Sequence, residues 1–155
     1  MSRADAPGDP HRLDRFVQAQ RGDYERALAE VRGGQKHSHW MWYIFPQLAG
    51  LGRRETAAHY AIGGIAEAEA YLRHPEPGPR LRACADALLA VEGRSAREIL
   101  GEPDDLKLRS CATLFAAALG EGTGSIFQRL LGRYLGGVPD AQTVRLIEAS
   151  RGVDP

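Results

Sequence analysis

The residues best suited to chemistry lie together in the stretch GGQKHSHWMWYIFPQ, residues 33–47. It holds a glycine pair, one of the two lysines of the chain and two of its five histidines. Glycine lets the backbone approach a ligand, and the unpaired N–H groups at a helix N-terminus attract anions. A helix beginning near Ser38, with Lys36 beside it, is therefore predicted to form an anion site.

Aromatic side chains follow directly and could complete such a site. Trp40 or Trp42 would supply a flat wall for a planar ring, and His39 could act as a proton donor or as a general acid–base group. On a helix, successive side chains are about 100° apart, so the two indoles point to nearly opposite sides. One tryptophan can then belong to the core while the other lines a pocket. In the alternative interpretation, the aromatic run is core and the glycine pair only ends a helix.

A second polar segment, DDLKLRS, contains the other lysine of the chain, Lys107. If the two segments meet in space, they would mix positive donors with a carboxylate, as a small-molecule site requires. The expected members of this cluster are Lys36, His39, Gln47, Asp105 and Lys107. The carboxylate of Asp105 is a candidate catalytic acid. The alternative is that Asp105 caps a helix and pairs with Arg109 four residues later.

The histidines and cysteines do not form a recognisable metal site. His37 and His39 are two residues apart, and on a helix they cannot converge on one ion. Cys84 and Cys111 lie in apolar helical patterns, where free cysteine behaves as a small hydrophobe. We expect neither a bound metal nor a cofactor.

Composition narrows the class of protein. The chain has 155 residues, 43% of them hydrophobic, which suits one domain with an ordinary core. Its 20 basic residues balance 20 acidic ones, so the charge that nucleic-acid binding normally needs is missing. The first residues of the sequence lack the apolar stretch of a signal peptide, and no apolar run reaches membrane-spanning length, so we expect neither feature. We expect a cytoplasmic protein that contacts neither nucleic acid nor membrane.

Helix signals occur along almost the whole sequence. Two consecutive amphipathic stripes, the first capped by Asp9 with Pro10 at its first turn, lead to the glycine pair at 33–34. Capping boxes mark two further starts, at Ser95 and Ser125, and a last helix begins near Asp140. Asp104 or Asp105 could cap the helix that carries Lys107. The pattern predicts an all-α, compact single domain of about seven to nine short helices over residues 9–150, after a disordered tail over 1–8. Helix and strand both remain open for residues 39–45, with helix favoured.

Three segments resemble a bacterial family of unknown function, DUF1810: residues 33–62, 67–89 and 104–118. The resemblance spans residues 12–147 and is carried by a K-x-[ST]-H-W-M-W-[FY]-x-F-P-Q core. It implies a mainly helical single domain and brings no established activity. The matching positions are Lys36, His39, Trp40, Met41, Trp42, Phe45, Pro46, Gln47, Gly50, Leu51, Gly52, Tyr60, Pro75, Gly78, Arg80, Leu81, Asp105, Lys107, Leu114 and Phe115. Calpastatin, a label sometimes given to this family, fits poorly, because an extended inhibitor would lack such regular helices.

Two hypotheses for function follow. In the first, the protein binds or transforms an anionic, ring-bearing small molecule such as a nucleotide or an ADP-ribose derivative. The ligand-binding residues would be Lys36, Trp40, Trp42, Gln47, Tyr60 and Lys107, and the catalytic residues His39 and Asp105. In the second, an exposed aromatic patch docks another protein without any chemistry. The oligomeric state stays open.

Overall fold

Alanine, leucine, arginine and glutamate fill the segments between the glycines and prolines, and these residues favour helices. The computed structural model describes residues 8–51, 54–120 and 124–153, and within these ranges nine helices and no strand form one compact all-α domain. Their bounds are α1 Asp14–Arg32, α2 Met41–Ile44, α3 Glu55–His59, α4 Ile65–Arg73, α5 Pro77–Ala90, α6 Ala96–Leu100, α7 Asp104–Leu119, α8 Ile126–Tyr134 and α9 Ala141–Val153. In the described part of the chain, no helix is long and apolar enough to cross a bilayer. The predicted tail lies outside these ranges except for Gly8.

The ends of several helices agree with the predicted capping residues. Ser95 and Glu98 form a complete capping box at α6, and Ser125 accepts the N–H of Gln128 at α8. Asp140 accepts the N–H of Thr143 at the start of α9. These local signals are predictable because each cap satisfies a backbone donor only three residues away.

The predicted starts of the first helix and of the helix that carries Lys107 are wrong. The two N-terminal stripes form one continuous helix, α1, which begins at Asp14 rather than at Pro10. The carboxylate of Asp9 still receives N–H groups at that start, from Leu13 at 2.7 Å and from Asp14 at 3.0 Å. Pro103 is the N-cap of α7, so Asp104 is the first helical residue and neither aspartate is a cap.

Helix α7 forms the centre of the molecule. Every residue from Ser110 to Ala116 is buried, and α4, α6, α8 and α9 pack around it. The Phe115 ring lies 5.3 Å from Tyr71 on α4 and 5.6 Å from Phe127 on α8, measured between ring centroids. Because the middle of α7 is buried on all sides, the helix provides a rigid base for the groups on its first turns.

The segment between α2 and α4 is fastened at two places. Leu48 and Ile62 form an isolated parallel β-bridge, with Ala49 N–H donating to the Ile62 carbonyl at 2.8 Å. The guanidinium of Arg15 makes five hydrogen bonds, which is its full donor capacity. Its acceptors are the carbonyls of His11, Arg12, His59 and Ala61 and the carboxylate of Glu67. Arg15 therefore fixes α3 and its following turn against α1.

Candidate functional site

The loop that leads from α1 to α2 folds back over the end of α1. Gly34 adopts a φ of +79°, which glycine reaches without strain, and the chain then reverses direction. The carboxylate of Glu30 accepts the N–H groups of His37 at 2.7 Å and Ser38 at 2.9 Å, and the Ser38 hydroxyl at 2.6 Å. It also accepts the indole N–H of Trp40 at 2.9 Å. Four donors thus converge on one acidic side chain.

This arrangement overturns the predicted anion site at residues 33–38. The donors that were expected to receive a ligand are already bound by the protein's own carboxylate at Glu30. Ser38 is not the cap of a helix either, because α2 begins at Met41 with Trp40 as its N-cap. Burial by itself raises the pKa of Glu30, but the hydrogen bonds from Ser38, His37 and Trp40 outweigh burial and lower it to about 2. Glu30 is therefore charged at neutral pH, and its carboxylate holds the loop in place.

Trp40 and Trp42 lie in different environments, as their spacing predicts. Trp40 is 0% exposed and belongs to the core, with Phe45 beside it at 6.2 Å between ring centroids. Trp42 is only partly buried. The structure thus removes Trp40 from any ligand contact and leaves Trp42 as the accessible indole.

The two lysines of the chain meet at Asp104. The Nζ of Lys36 lies 3.0 Å from one carboxylate oxygen, and the Nζ of Lys107 lies 3.3 Å from the other. Each ammonium also lies over an indole, Lys36 over Trp40 at 5.2 Å and Lys107 over Trp42 at 5.3 Å from the ring centroid. The predicted meeting of the two segments is present, but the shared carboxylate belongs to Asp104 rather than Asp105.

A cavity of about 470 Å³ lies beside this cluster, between the segment around α2 and α3 and the first turns of α7. Its walls combine two cationic side chains, one carboxylate, amide and hydroxyl groups and one indole. The lining residues are Trp42, Gln47, Leu51, Arg54, Ala57, Pro103, Leu106, Lys107, Ser110, Asp140 and Gln142. Among the described residues, Arg54 has no ion pair or side-chain hydrogen bond. A concave, mixed surface of this kind is typical of small-molecule sites.

A second and narrower cavity, of about 130 Å³, adjoins the first. Trp42, Gln47 and Ala57 border both cavities. The remaining wall of the narrow cavity is formed by Leu48, Ala49, Gly50, Ala58, Tyr60 and Ala61. The narrow cavity is therefore lined without any charged side chain.

The family model described as "Protein of unknown function (DUF1810)" matches residues 10–147. The chain belongs to the DUF1810 family. A crystal structure of the conserved hypothetical protein Rv1873 from Mycobacterium tuberculosis is 48% identical to it, with a TM-score of 0.87 over 90% of this chain and 99% of that one. A search of curated proteins gave no match.

Of the remaining predicted site residues of the DUF1810 chain, some line the two cavities and others do not. Gln47 and Lys107 line the larger cavity, and Gln47 and Tyr60 line the narrow one. His39 is exposed and borders neither of these two cavities. Asp105 borders neither as well, and its carboxylate accepts the N–H of the following residue at 2.9 Å. Catalytic roles for His39 and Asp105 remain predictions without support from this geometry.

Sequence reasoning missed four polar residues of the DUF1810 cavity: Arg54, Ser110, Asp140 and Gln142. The sequence indicates Asp140 only as a helix start, and its carboxylate does accept two hydrogen bonds from Thr143. The other three carry no motif of their own. They come together because α3, α7 and α9 each contribute residues to the wall of the larger cavity. No local pattern in the sequence predicts this packing.

Proposed function

We propose that this DUF1810 protein binds a small anionic molecule with a planar ring in the cleft around Trp42. The observation that carries the proposal is the pairing of the accessible Trp42 indole with the Lys107 ammonium inside one concave surface. An indole face accepts a planar ring, and an ammonium attracts a phosphate or carboxylate.

Charge distribution supports an anionic ligand. Arg54 and Lys107 both border the larger cavity. Asp104 pairs with Lys107 and also with Lys36, so one carboxylate is shared between two ammonium groups. The single carboxylate of the cavity wall, on Asp140, already accepts two hydrogen bonds from Thr143. A ligand phosphate could bind Arg54, which has no ion pair among the described residues, and Lys107, whose side chain is 27% exposed.

The shape of the surface favours a small molecule over a protein partner. A docking patch would need a broad, exposed aromatic surface, and Trp40 contributes none because it is fully buried. Leu106, which is 52% exposed, is the large exposed hydrophobe at the rim of the cleft. One leucine and one half-buried indole are too little for a typical protein interface.

The test is a binding screen of the purified protein against nucleotides, dinucleotides, ADP-ribose and inorganic phosphate by thermal shift, followed by calorimetry. A ligand at 100 times its Kd stabilises the folded state by about 2.7 kcal/mol. Lys107→Gln should weaken the binding of an anion about tenfold or more, because it removes one charge-assisted contact. Trp42→Leu should weaken ring-bearing ligands only.

Arg21→Gln serves as the matched control, since Arg21 is an exposed cation on α1 that borders neither cavity. Its affinity should equal that of the wild type. If no anionic ligand raises the melting temperature, or if the Lys107 and Arg21 variants behave alike, the proposed function is wrong.

A further inference from the structure

The two cavities beside Trp42 have different chemistry. The larger one contains the cations Arg54 and Lys107 and the hydroxyl of Ser110. The narrow one is lined mainly by alanine methyl groups and by the rings of Trp42 and Tyr60. A ligand that used both would need a charged part and an apolar part.

The size of the narrow cavity limits the apolar part. Its volume is about 130 Å³. An engineered apolar cavity of about 150 Å³ in another protein holds one benzene molecule, so a single six-membered ring is the group that fits here. A fused bicyclic ring such as a purine is larger than benzene, so we expect it to fit this space less well.

The boundary between the cavities permits one ligand to reach both. Ala57 borders each of them and extends only a methyl group at that point, so the barrier is low. Gln47 also borders both, and its amide can donate to and accept from a ring nitrogen or carbonyl group.

We propose that the narrow cavity receives a single six-membered ring while the larger cavity holds the anionic group of the same ligand. The ligand class is then a phosphate or carboxylate carrying one aryl or pyrimidine ring, in preference to a purine nucleotide. This inference rests on the proposed function and specifies its ligand.

The first experiment compares matched ligands by calorimetry on the wild-type protein. Phenyl phosphate should bind about tenfold or more tightly than inorganic phosphate, and UMP about tenfold or more tightly than AMP, since a tight pocket discriminates by at least this factor for small differences in size. If AMP binds as tightly as UMP, the inference is overturned while the proposed function stands. If phosphate, phenyl phosphate and both nucleotides all fail to bind, both are overturned.

The second experiment fills the narrow cavity. Ala58 lines this cavity and does not border the larger one, so Ala58→Leu should bring the affinity for phenyl phosphate down to that for inorganic phosphate. Binding of inorganic phosphate should stay unchanged, which also verifies that the variant is folded. Thr56→Leu is the matched control, because Thr56 lies exposed on the same helix and borders neither cavity. An unchanged affinity of Ala58→Leu for phenyl phosphate would contradict the inference. If this variant does not fold, the comparison of ligands on the wild type decides alone.

Discussion

The carboxylate of Glu30 accepts the indole N–H of Trp40 at 2.9 Å, and this bond ties the end of α1 to the start of α2. The same carboxylate also holds the backbone at His37 and Ser38. A buried indole is thereby fixed by an acid ten residues earlier in the chain. The orientation of Trp42, two residues further on, depends on the position of this segment.

Removal of the Glu30 carboxylate should destabilise the protein. Glu30→Ala leaves the Ser38 and Trp40 donors without their acceptor, and a hydrogen bond to a charged group makes a net contribution to stability of about 1.5–3 kcal/mol. We expect a loss of roughly 2–3 kcal/mol in the free energy of unfolding, measured by urea denaturation. Glu25→Ala, an exposed acid on the same helix, should change it by about 0.5 kcal/mol or less. Equal losses of unfolding free energy in the two variants would show that the Glu30 contacts do not stabilise the fold.

The same residue predicts a specific dependence on pH. The pKa of Glu30 is lowered in the folded state from an ordinary 4.5 to about 2, so the unfolded chain binds more protons between these values. The stabilisation by Glu30 is fully present above about pH 4.5 and is lost as the pH falls towards 2. The difference in unfolding free energy between wild type and Glu30→Gln should therefore shrink on acidification. Denaturation curves at pH 6 and pH 3 measure it, and a constant difference would exclude Glu30 as the titrating group.

Local features of the fold, such as helix caps, could be predicted from the sequence. Contacts between a helix and the loop that folds back over it could not. The capping box at Ser95 and Glu98 depends on residues three positions apart, so its pattern is visible in the chain. Glu30 is an ordinary helical residue in sequence, and nothing local indicates that its carboxylate turns towards Trp40. For this reason an anion site was predicted where the protein already supplies the anion.

The candidate site could be predicted in part, because some of its features depend on local spacing and composition. Helical spacing separates Trp40 from Trp42, and the scarcity of lysine in the composition singled out Lys36 and Lys107. The choice between Asp104 and Asp105 depends on where α7 begins, and a difference of one residue rotates a side chain by about 100°. The sequence therefore indicated the cluster but assigned its carboxylate to the wrong neighbour.

The two lysines on Asp104 should respond differently to substitution. The side chain of Lys36 is 10% exposed and packs over a fully buried indole, whereas that of Lys107 is 27% exposed and faces the cavity. Lys36→Met should lower the free energy of unfolding by roughly 1–2 kcal/mol, because a largely buried ion pair is broken. Lys107→Met should cost about 0.5 kcal/mol and mainly affect ligand binding. Urea denaturation of both variants tests whether Lys36→Met loses more stability than Lys107→Met. A larger loss for Lys107→Met would mean that Lys107, and not Lys36, has the structural role.

Arg15→Lys should destabilise the protein although it conserves the charge. Arg15 donates to five acceptors, which are the carbonyls of His11, Arg12, His59 and Ala61 and the carboxylate of Glu67. Lysine has only three donors, on a flexible stem, and cannot satisfy all of them. We expect a loss of about 2 kcal/mol in the free energy of unfolding. Arg21→Lys, on the exposed side of the same helix, should be close to neutral. Near-equal denaturation midpoints for the two variants would mean that charge alone matters at position 15.

Substitution of two helical glycines, Gly78 and Gly132, by alanine should change the free energy of unfolding in opposite directions. At Gly78, a Cβ atom would lie 2.4 Å from the carbonyl oxygen of Leu72, a backbone atom that cannot move without separating α4 from α5. At Gly132 in α8, a Cβ atom would meet nothing within 4 Å. Gly78→Ala should therefore lower the free energy of unfolding by about 2 kcal/mol or more, because overpacking forces the backbone apart. Gly132→Ala should raise it by about 0.5–1 kcal/mol, because alanine has less conformational freedom to lose and a higher helix propensity. Thermal melts of both variants measure the two signs, and a stabilised Gly78→Ala would show that α4 and α5 do not approach as closely as these contacts require.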